Sequence, residues 1–421
     1  MKLATKVTPS NVDKKSKEGE PPVKLCNYVD VYYNEEIHAQ LPFMKATATL
    51  EQIEKFELKR HDVIITKDSE DPDDIAVPAL VNADIPGVVC GYHLTVLRPT
   101  ENTDGRFLKR YFDSRYVRSY FATRANGLTR YGLGTYPLSN APIPLPPLPE
   151  QRQIAAFLDR ECAAMDTLMA KQERLIALLA EKRQALISHT VTKGLDPHAP
   201  LKDSGIEWLG QVPEGWKAGK LGFYCTLLSG YAFPSSGFSH ENTDTRLLRG
   251  INVGVSKIRW SETVYWQRKK GDGLDEFELA EGDLVIGMDR PWIKGGIRIA
   301  KISKRDLPCL LLQRVVSLET TTTLISDYLF RILASPLFSS YFTPEMTGVS
   351  VPHISPDQIS NFRIPLPPLP EQRAIVTYLD EACGKIDTLV AKAESAIALL
   401  KERRTALISA AVTGKIDVRE H

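Results

Sequence analysis

Apolar positions in two stretches of the chain repeat every seven residues. The first stretch, residues 143–196, carries them on two rows: Leu158, Met165, Leu168, Leu175, Leu179 and Leu186. The second, residues 364–417, carries a matching set: Leu379, Ile386, Leu389, Leu400 and Leu407. Two narrow apolar rows with this period are typical of a helix that pairs with another helix. The pattern therefore predicts two long helices, with these residues forming the seam between them.

The two stretches are copies of each other. They align at an offset of 221 without a gap, and 33 of their 54 positions are identical. Solenoid repeats have periods of roughly 20–50 residues, so this is a duplication of a whole module. Each helix would span about 40 residues, or roughly 60 Å at 1.5 Å per residue. Pairing of the two copies is the favoured interpretation, and packing of each helix against its own domain is the alternative.

The rest of the chain divides around these helices. Residues 1–23 are rich in Lys, Ser, Glu and Pro, and we expect them to be a disordered lead-in. The remaining predicted segments follow in order: a first globular module at 24–142, the first helix at 143–196, a Pro/Gly connector at 197–216, a second module at 217–363, and the second helix with a C-terminal tail at 364–421.

The duplication extends into the globular modules. FELKRHDVIITKD (56–68) aligns with FELAEGDLVIGMD (277–289) at the same offset of 221, and KLCNY (24–28) resembles KLGFY (220–224) at an offset of 196. The helices are nearly copied, while the modules share only some positions. We therefore expect two modules of one fold that carry different binding surfaces.

Composition narrows the class of protein only slightly. Apolar residues make up 43% and charged residues 25% of the chain, with a net charge of +1, which is ordinary for a globular protein. The six cysteines form no CxxC pair, and no apolar run approaches the roughly 18 residues of a membrane span. These features predict a cytoplasmic protein with reduced thiols and no membrane contact.

No catalytic constellation is visible in the sequence. Phosphate-binding loops, G-x-G-x-x-G, H-E-x-x-H and G-x-S-x-G are all missing. Asp71, Asp73 and Asp74 could bind a metal, although a solvated acidic loop is the favoured interpretation. A hydrolase that uses these carboxylates stays open as an alternative.

Positive charge is locally clustered. Residues 106–130 and 246–270 each contain seven Lys or Arg and one acid. Basic side chains neutralise phosphates, and Arg or Lys in a groove can recognise guanine. The candidate DNA-binding residues combine the clusters with nearby aromatic and loop positions: Arg115, Arg118, Arg124, Arg130, Tyr131, Lys257, Arg259, Lys269, Lys270, Arg290, Trp292, Lys294 and His353. Ordinary solvated surface is the alternative for each.

The doubled motif LPPLPEQR (145–152 and 366–373), the long helices and SGIEWLGQVPEGW (204–216) together resemble one known family. The chain is similar to the specificity subunit of Type I restriction-modification systems from about residue 24 onwards. The resemblance implies two target recognition domains of mixed α/β structure, joined by two helices in an antiparallel coiled coil with pseudo-two-fold symmetry.

The resemblance also implies a function. Each module would recognise one half of a bipartite, asymmetric target in double-stranded DNA, and the helices would set the spacer. Two methyltransferase (modification) subunits and two restriction subunits would be the partners. The chain itself would be non-catalytic and without cofactor, because S-adenosylmethionine, ATP and Mg would be bound by the partners. A coiled-coil adaptor without a DNA role is the alternative.

Overall fold

The computed structural model describes residues 1–293, 295–342 and 352–418. Within these residues the chain forms two compact units. Unit 1 comprises residues 1–174 and the segment from residue 393 onwards, and unit 2 comprises residues 175–392. Each unit therefore contains one globular module together with part of each of two long helices.

Unit 1 is a mixed α/β domain. Its strands are β1 (Thr5–Pro9), β2 (Pro22–Cys26), β3 (Glu36–Ile37), β4 (Met44–Thr47), β5 (Val63–Thr66), β6 (Asp68–Ser69), β7 (Pro78–Val81), β8 (Val88–Cys90), β9 (Leu94–Pro99) and β10 (Tyr131–Gly132). Its helices are α1 (Tyr28–Tyr32), α2 (Leu50–Phe56), α3 (Gly105–Asp113), α4 (Arg115–Ala122), α5 (Thr135–Asn140) and the first part of α6 (Leu148–Lys193).

The sheets of unit 1 are a five-stranded sheet in the order β1-β9-β5-β7-β3, a three-stranded sheet β4-β2-β8 and the pair β10-β6. Strands β5 and β9 are rich in buried β-branched and leucine side chains, such as Ile64 and Val96, which suits a sheet covered on both faces. Helix α3 packs against this sheet through Phe107, Leu108 and Tyr111.

Unit 2 is also mixed α/β. Its strands are β11 (Leu201–Asp203), β12 (Gln211–Pro213), β13 (Lys217–Lys220), β14 (Cys225–Ser229), β15 (Thr245–Leu248), β16 (Val264–Trp266), β17 (Leu284–Gly287), β18 (Trp292–Ile293), β19 (Gly296–Ile297), β20 (Ile299–Lys301), β21 (Cys309–Leu311), β22 (Val315–Thr320) and β23 (Arg363–Leu366). Its helices are α7 (Ser326–Leu333), α8 (Pro336–Phe342), α9 (Pro356–Asn361) and the first part of α10 (Leu369–Val412).

The main sheet of unit 2 repeats that of unit 1. Its order is β14-β22-β17-β20, and a second sheet has the order β16-β15-β21. At the offset of 221, β5, β8 and β9 correspond to β17, β21 and β22, and α5 corresponds to α9. The prediction of one mixed α/β fold present twice is confirmed.

The early strands correct one sequence alignment. Strand β1 pairs with β9 so that Thr5 lies opposite Pro99, and β14 pairs with β22 so that Cys225 lies opposite Thr320. Strand β1 is therefore the counterpart of β14. Strand β2 runs parallel to β8, and β15 runs parallel to β21. Since β8 and β21 are counterparts, β2 corresponds to β15. The proposed match of KLCNY (24–28) with KLGFY (220–224) is wrong, since the first forms β2 and the second precedes β14.

The same strand overturns the expectation that residues 1–23 are disordered. Strand β1 forms an edge of the main sheet, and Ala4 and Val12 are buried. The amino group of Met1 donates to the carbonyl of Ala141 at 2.9 Å. Few apolar side chains are needed here, because main-chain pairing with β9 supplies the hydrogen bonds. The first module thus includes this segment.

The two long helices are confirmed, and both contribute to each unit. In unit 1, Ile154 and Leu158 near the start of α6 share a core with Ile408 and Val412 near the end of α10. In unit 2 the counterparts Ile375 and Leu379 share a core with Ile187 and Val191. Within each unit the helices therefore pack antiparallel. Gly194 and Gly414, at φ +76° and +70°, follow the last turns, as expected of glycines that end helices.

The predicted seam is followed only in part. Five of its residues are buried: Leu158, Met165, Leu179, Leu379 and Ile386. Three are half-buried: Leu186, Leu400 and Leu407. Three are exposed, and the structure does not place them in a seam: Leu168, Leu175 and Leu389. Near the helix starts the buried positions are spaced by four, as in Ile154, Leu158 and Cys162, because there each helix also packs against a module.

All six cysteines are buried free thiols. Burial raises the pKa of Cys225 and of Cys309 to about 12, so both thiols stay protonated and pack as small apolar side chains. Over the part of the chain that the structure describes, no helix is long and apolar enough to cross a membrane.

Candidate nucleic-acid interface

A carboxylate directly after a central strand organises the candidate surface of unit 1. Asp68 follows β5, and its side chain accepts hydrogen bonds from the guanidinium of Arg130 at 3.0 Å. His93 Nδ1 lies 2.7 Å from the other oxygen of Asp68. Strand β10 pairs with β6, so that Tyr131 lies opposite Ser69. The glycine-rich segment 129–134 is thereby fixed beside the acidic loop.

Unit 2 repeats this arrangement with different cations. Asp289 is the counterpart of Asp68, and its carboxylate lies 2.7 Å from His353 Nδ1 and 3.8 Å from Arg314 Nε. Arg290 adopts φ +43°, which is uncommon for a residue with a side chain, and its N–H donates to the carbonyl of Pro352 at 2.8 Å. The main-chain hydrogen bond ties the loop that contains Arg290 to the segment that contains His353.

Two hairpins in unit 2 carry further candidates. Val253 pairs with Ile258 around a turn that carries Lys257, and the N–H of Ser256 donates to Ile299 at 2.8 Å. Strands β18 and β19 form the second hairpin, which starts with Trp292. Lys257, Arg259 and Arg290 are exposed, whereas Trp292 is half-buried and packs near Phe342. Lys294 lies outside the described residues.

Lys269 and Lys270 lie on a separate loop of unit 2. Asp272 shapes it by accepting from the N–H groups of Lys269 and Leu274 and from the guanidinium of Arg268. Arg268 is thereby engaged in ion pairs within the loop, while the two lysines are exposed. They remain available for phosphates.

The basic run 106–130 in unit 1 divides into buried and exposed parts. Lys109 and Arg110 are buried and contact Glu35, at 2.6 and 3.0 Å, and Asp113, at 2.8 and 3.3 Å. Burial would lower the pKa of Arg110, but Glu35 and Asp113 raise it, so the guanidinium stays charged. These two cations stabilise the fold and do not belong to a binding surface.

Of the remaining basic residues of this run, Arg106 is half-buried and contacts Asp159 at 3.1 Å, and the other four are exposed. Arg115 and Arg118 lie on α4, and Arg124 follows it with its guanidinium 3.9 Å from the ring centre of Tyr120. Arg115 and Arg124 line a groove between α4 and the end of α10. Arg130 and Tyr131 adjoin the acidic loop through the pairing of β10 with β6.

Two carboxylates of the acidic loop accept hydrogen bonds from other groups of unit 1. Asp71 accepts from the N–H of Asp73 at 2.9 Å, and Asp74 accepts from the hydroxyl of Tyr32. Among the described residues no group of three or more His, Cys, Asp or Glu is arranged to hold a metal ion.

A buried glutamine that sequence reasoning missed connects each long helix to its module. Gln151 accepts from the N–H of Asp104 at 2.9 Å and donates to the carbonyls of Asn102 and Pro146. Gln372 makes the same three hydrogen bonds, with Ile325, Thr323 and Pro367. All these partners are related by the offset of 221. The signal was present in the sequence as the doubled PEQR.

Ion pairs in the two units are also related by the offset of 221. Arg110 contacts Asp159 in unit 1, and Arg331 contacts Asp380 in unit 2. Arg404 of α10 contacts Asp166 of α6, while Arg183 of α6 contacts Asp387 of α10. At the offset of 221, Arg183 is the counterpart of Arg404, and Asp166 is the counterpart of Asp387. The helices thus meet in equivalent ways inside each unit.

These features define a class: an internally duplicated protein in which each mixed α/β head is attached to a pair of antiparallel helices. The family model for the Type I restriction modification DNA specificity domain matches the chain twice, at residues 14–176 and 213–395. The chain belongs to this family.

Named relatives agree with the family. The chain is 33% identical over 224 residues to the Type I restriction enzyme EcoAI specificity subunit of Escherichia coli, which covers 52% of this chain and 37% of that protein. It is 30% identical over 281 residues to the MjaVIII specificity subunit of Methanocaldococcus jannaschii, covering 66% of this chain and 63% of the relative. The matched regions therefore span less than two thirds of either relative's length.

Solved structures share the fold. A chain solved in work on complex assembly and conformational transition of the type I R-M system superposes with a TM-score of 0.71 at 20% identity, covering 98% of both chains. The HsdS subunit from Thermoanaerobacter tengcongensis superposes with a TM-score of 0.55 at 21% identity, covering 98% of this chain and 97% of the other.

Proposed function

We propose that this chain is the sequence-recognition subunit of a Type I restriction-modification complex and acts in the cytoplasm. Each module recognises one half of a bipartite, asymmetric DNA target, and the helices set the spacer. Two modification subunits dock on the chain and supply methyl transfer with S-adenosylmethionine. Two restriction subunits supply the ATP- and Mg-dependent steps. The chain itself carries out recognition without catalysis.

The observation that carries this proposal is the separate match of the DNA specificity domain to each module, at residues 14–176 and 213–395. The two relatives described above are specificity subunits of Type I restriction enzymes. A protein that contains this domain twice has the two heads that a two-part target requires.

The surface chemistry of unit 2 supports DNA as the ligand. Lys257, Arg259 and Arg290 are exposed on loops that the main chain holds close together. Exposed cations on well-ordered loops can contact phosphates, and arginine can also donate two hydrogen bonds to guanine in the major groove. In unit 1, Arg118 and the Asp68–Arg130 pair offer a different arrangement of charge. The two half-sites are accordingly expected to differ.

The experiment that tests the proposal is the methylation pattern of DNA from cells that contain this chain together with the modification subunit of its own system. The expected result is a split motif, with modified adenines on opposite strands and a constant gap. Absence of any new motif from an assembled complex would contradict it. The adaptor alternative predicts that outcome, together with no salt-dependent binding of duplex DNA.

A domain exchange sharpens the same test. Strand β13 pairs with β23, so that Lys217 lies opposite Leu366 and Lys220 opposite Arg363. The second module should therefore be exchanged as the whole range 217–366, because a cut at residue 363 would divide this pair. Replacement by the equivalent module of a relative should change one half-site and leave the other intact. A change in both would refute independent heads.

A further inference from the structure

A groove in unit 1 lies between α4 and the last turns of α10. Its volume is about 920 Å³, and we call it the α4–α10 groove. Tyr116 and Tyr120 of α4 and Ala406 of α10 supply apolar surface along it. Tyr116 is 51% exposed. Such a large exposed ring beside a groove marks a surface that can bury a partner's side chain.

Cations surround this apolar surface. The groove is lined by four basic side chains, Arg115, Arg124, Lys401 and Lys415, and by the single carboxylate of Glu402. The lining therefore carries an excess of positive charge, and it favours an occupant that is acidic as well as apolar.

The walls of the groove are held in place. The N–H of Arg115 donates to Ser409 Oγ at 3.0 Å, which joins the start of α4 to α10. The guanidinium of Arg124 stacks on Tyr120 and donates to the carbonyl of that residue at 3.1 Å. A preformed site loses less conformational entropy when a partner binds than a mobile one does.

The repeat counterparts of the four cations are not basic. At the offset of 221 they are Pro336, Glu345, Ala180 and Gly194; of these, Glu345 lies outside the described residues. The four basic positions are thus not repeated in the sequence of unit 2.

The chain itself shows what kind of segment covers the corresponding aromatic position in unit 2. Tyr341 is the counterpart of Tyr120, and its ring lies 6.3 Å from that of Trp208 in the connector. Trp208 belongs to the sequence DSGIEWL (203–209), which combines large apolar side chains with Asp203 and Glu207. An aromatic side chain of a connecting segment therefore packs on the equivalent helix of unit 2, while Asp203 and Glu207 of that segment are exposed.

We propose that the α4–α10 groove binds an acidic segment of the modification subunit that carries a large apolar side chain, so that one copy of this partner is held by charge at unit 1. The inference rests on the proposed function, because it needs the modification subunit as partner. The exposed ring of Tyr116 in the lining favours a protein segment with a large apolar side chain over the alternative occupant, a DNA phosphate.

The test compares charge reversal inside and outside the groove. Lys401→Glu with Lys415→Glu changes two groove residues that are not candidate DNA contacts, and Lys171→Glu is the control on an exposed position of α6. Each full-length variant is assembled with the modification subunit, and the number and affinity of bound subunits are measured by native mass spectrometry and titration. Lys401→Met with Lys415→Met is the second variant, which keeps the apolar stems.

The groove variants are expected to weaken one of the two bound copies by about tenfold, while the control stays within about twofold. The difference should shrink as salt rises from about 0.1 M to about 1 M, because the Debye length falls from about 10 Å to about 3 Å. Unchanged partner binding with weaker DNA binding would overturn the inference in favour of phosphate contact. Equal behaviour of groove variants and control would overturn it outright. Failure of the unaltered chain to bind any modification subunit would overturn the proposed function as well.

Discussion

The two units use the same contacts to attach their helices and different contacts on their exposed surfaces. Gln151 and Gln372 make three equivalent hydrogen bonds each. By contrast, Asp68 contacts Arg130 and His93, whereas its counterpart Asp289 contacts His353 and Arg314.

The difference reflects what each contact must satisfy. A fully buried amide has to find partners for its donors and acceptor, and few side chains fit the same three partners. Asp68 and Asp289 are only partly buried, and a carboxylate that water still reaches can exchange one cation for another at less cost. A duplicated protein can therefore vary its two ligand surfaces while the attachment of helix to module stays fixed.

The largest expected effect comes from the buried glutamines. Gln151→Ala leaves one N–H and two carbonyls without their partner, so the free energy of unfolding of unit 1 should fall by about 3 kcal/mol, since each unmade buried hydrogen bond costs roughly 1–3 kcal/mol. Urea denaturation measures the change, and Gln153→Ala, an exposed neighbour on α6, is the control. Gln372→Ala should cost unit 2 about as much. A loss at only one of the two sites would break the equivalence of the units.

The next effect concerns recognition by unit 2. Arg290→Ala should reduce affinity for the matched target by about 2 kcal/mol, or roughly 30-fold, and relax base preference in one half-site, because a well-placed arginine contributes roughly 1–3 kcal/mol of discrimination. Fluorescence anisotropy with single-base variants of the target measures it. Lys220→Ala on β13 serves as the control. Loss of affinity without any change in preference would make Arg290 a phosphate contact.

A smaller effect is expected from Glu35 of unit 1. Its counterpart in unit 2 at the offset of 221 is Ser256, which has no charge. Burial would raise its pKa, but Lys109, Arg110 and Arg404 lower it from 4.5 to about 2. The ionised carboxylate thus stabilises the folded state above pH 4.5, and this contribution is lost as pH falls from 4.5 towards 2. Because the side chain is 49% exposed, solvent screening reduces the contribution to about 1 kcal/mol.

Glu35→Gln should therefore destabilise unit 1 near pH 7 and have little effect near pH 2, as measured by urea denaturation across this range. Glu54→Gln, on the exposed side of α2, is the control. A constant difference between Glu35→Gln and the unaltered chain at every pH would show that its charge contacts do not stabilise the fold.

The smallest expected effect is a difference in DNA affinity between variants of two arginines that are equal candidates in the sequence. Arg130 is paired with Asp68, whereas Arg118 is exposed on α4. Arg130→Ala should change DNA affinity by less than about 0.5 kcal/mol, because the Asp68 carboxylate already offsets its charge, and Arg118→Ala should cost about 1 kcal/mol and lower the salt dependence. The reverse order would mean that DNA displaces Asp68 from Arg130.

Much of the fold was readable from the sequence because it depends on local pattern and on internal identity. The heptad spacing and the offset of 221 predicted two long helices and two like modules. The aligned segments ending at Asp68 and Asp289 even contained the paired carboxylates. The candidate surfaces were less predictable, because seven basic residues in a run look alike in sequence. Only contacts separate buried Lys109 and Arg110 from exposed Arg118.

By itself the sequence determined that the chain is duplicated, that its helices are long, and which motif begins each of them. The tertiary structure decided that each compact unit joins the start of one helix to the end of the other, that residues 5–9 form an edge of the first sheet, and that Glu35 meets Arg404 across 369 positions. The physical reason is the distance along the chain over which each kind of interaction acts. Helix periodicity and turn residues act over a few neighbours, whereas strand pairing, burial and ion pairs depend on residues that only the folded chain brings together.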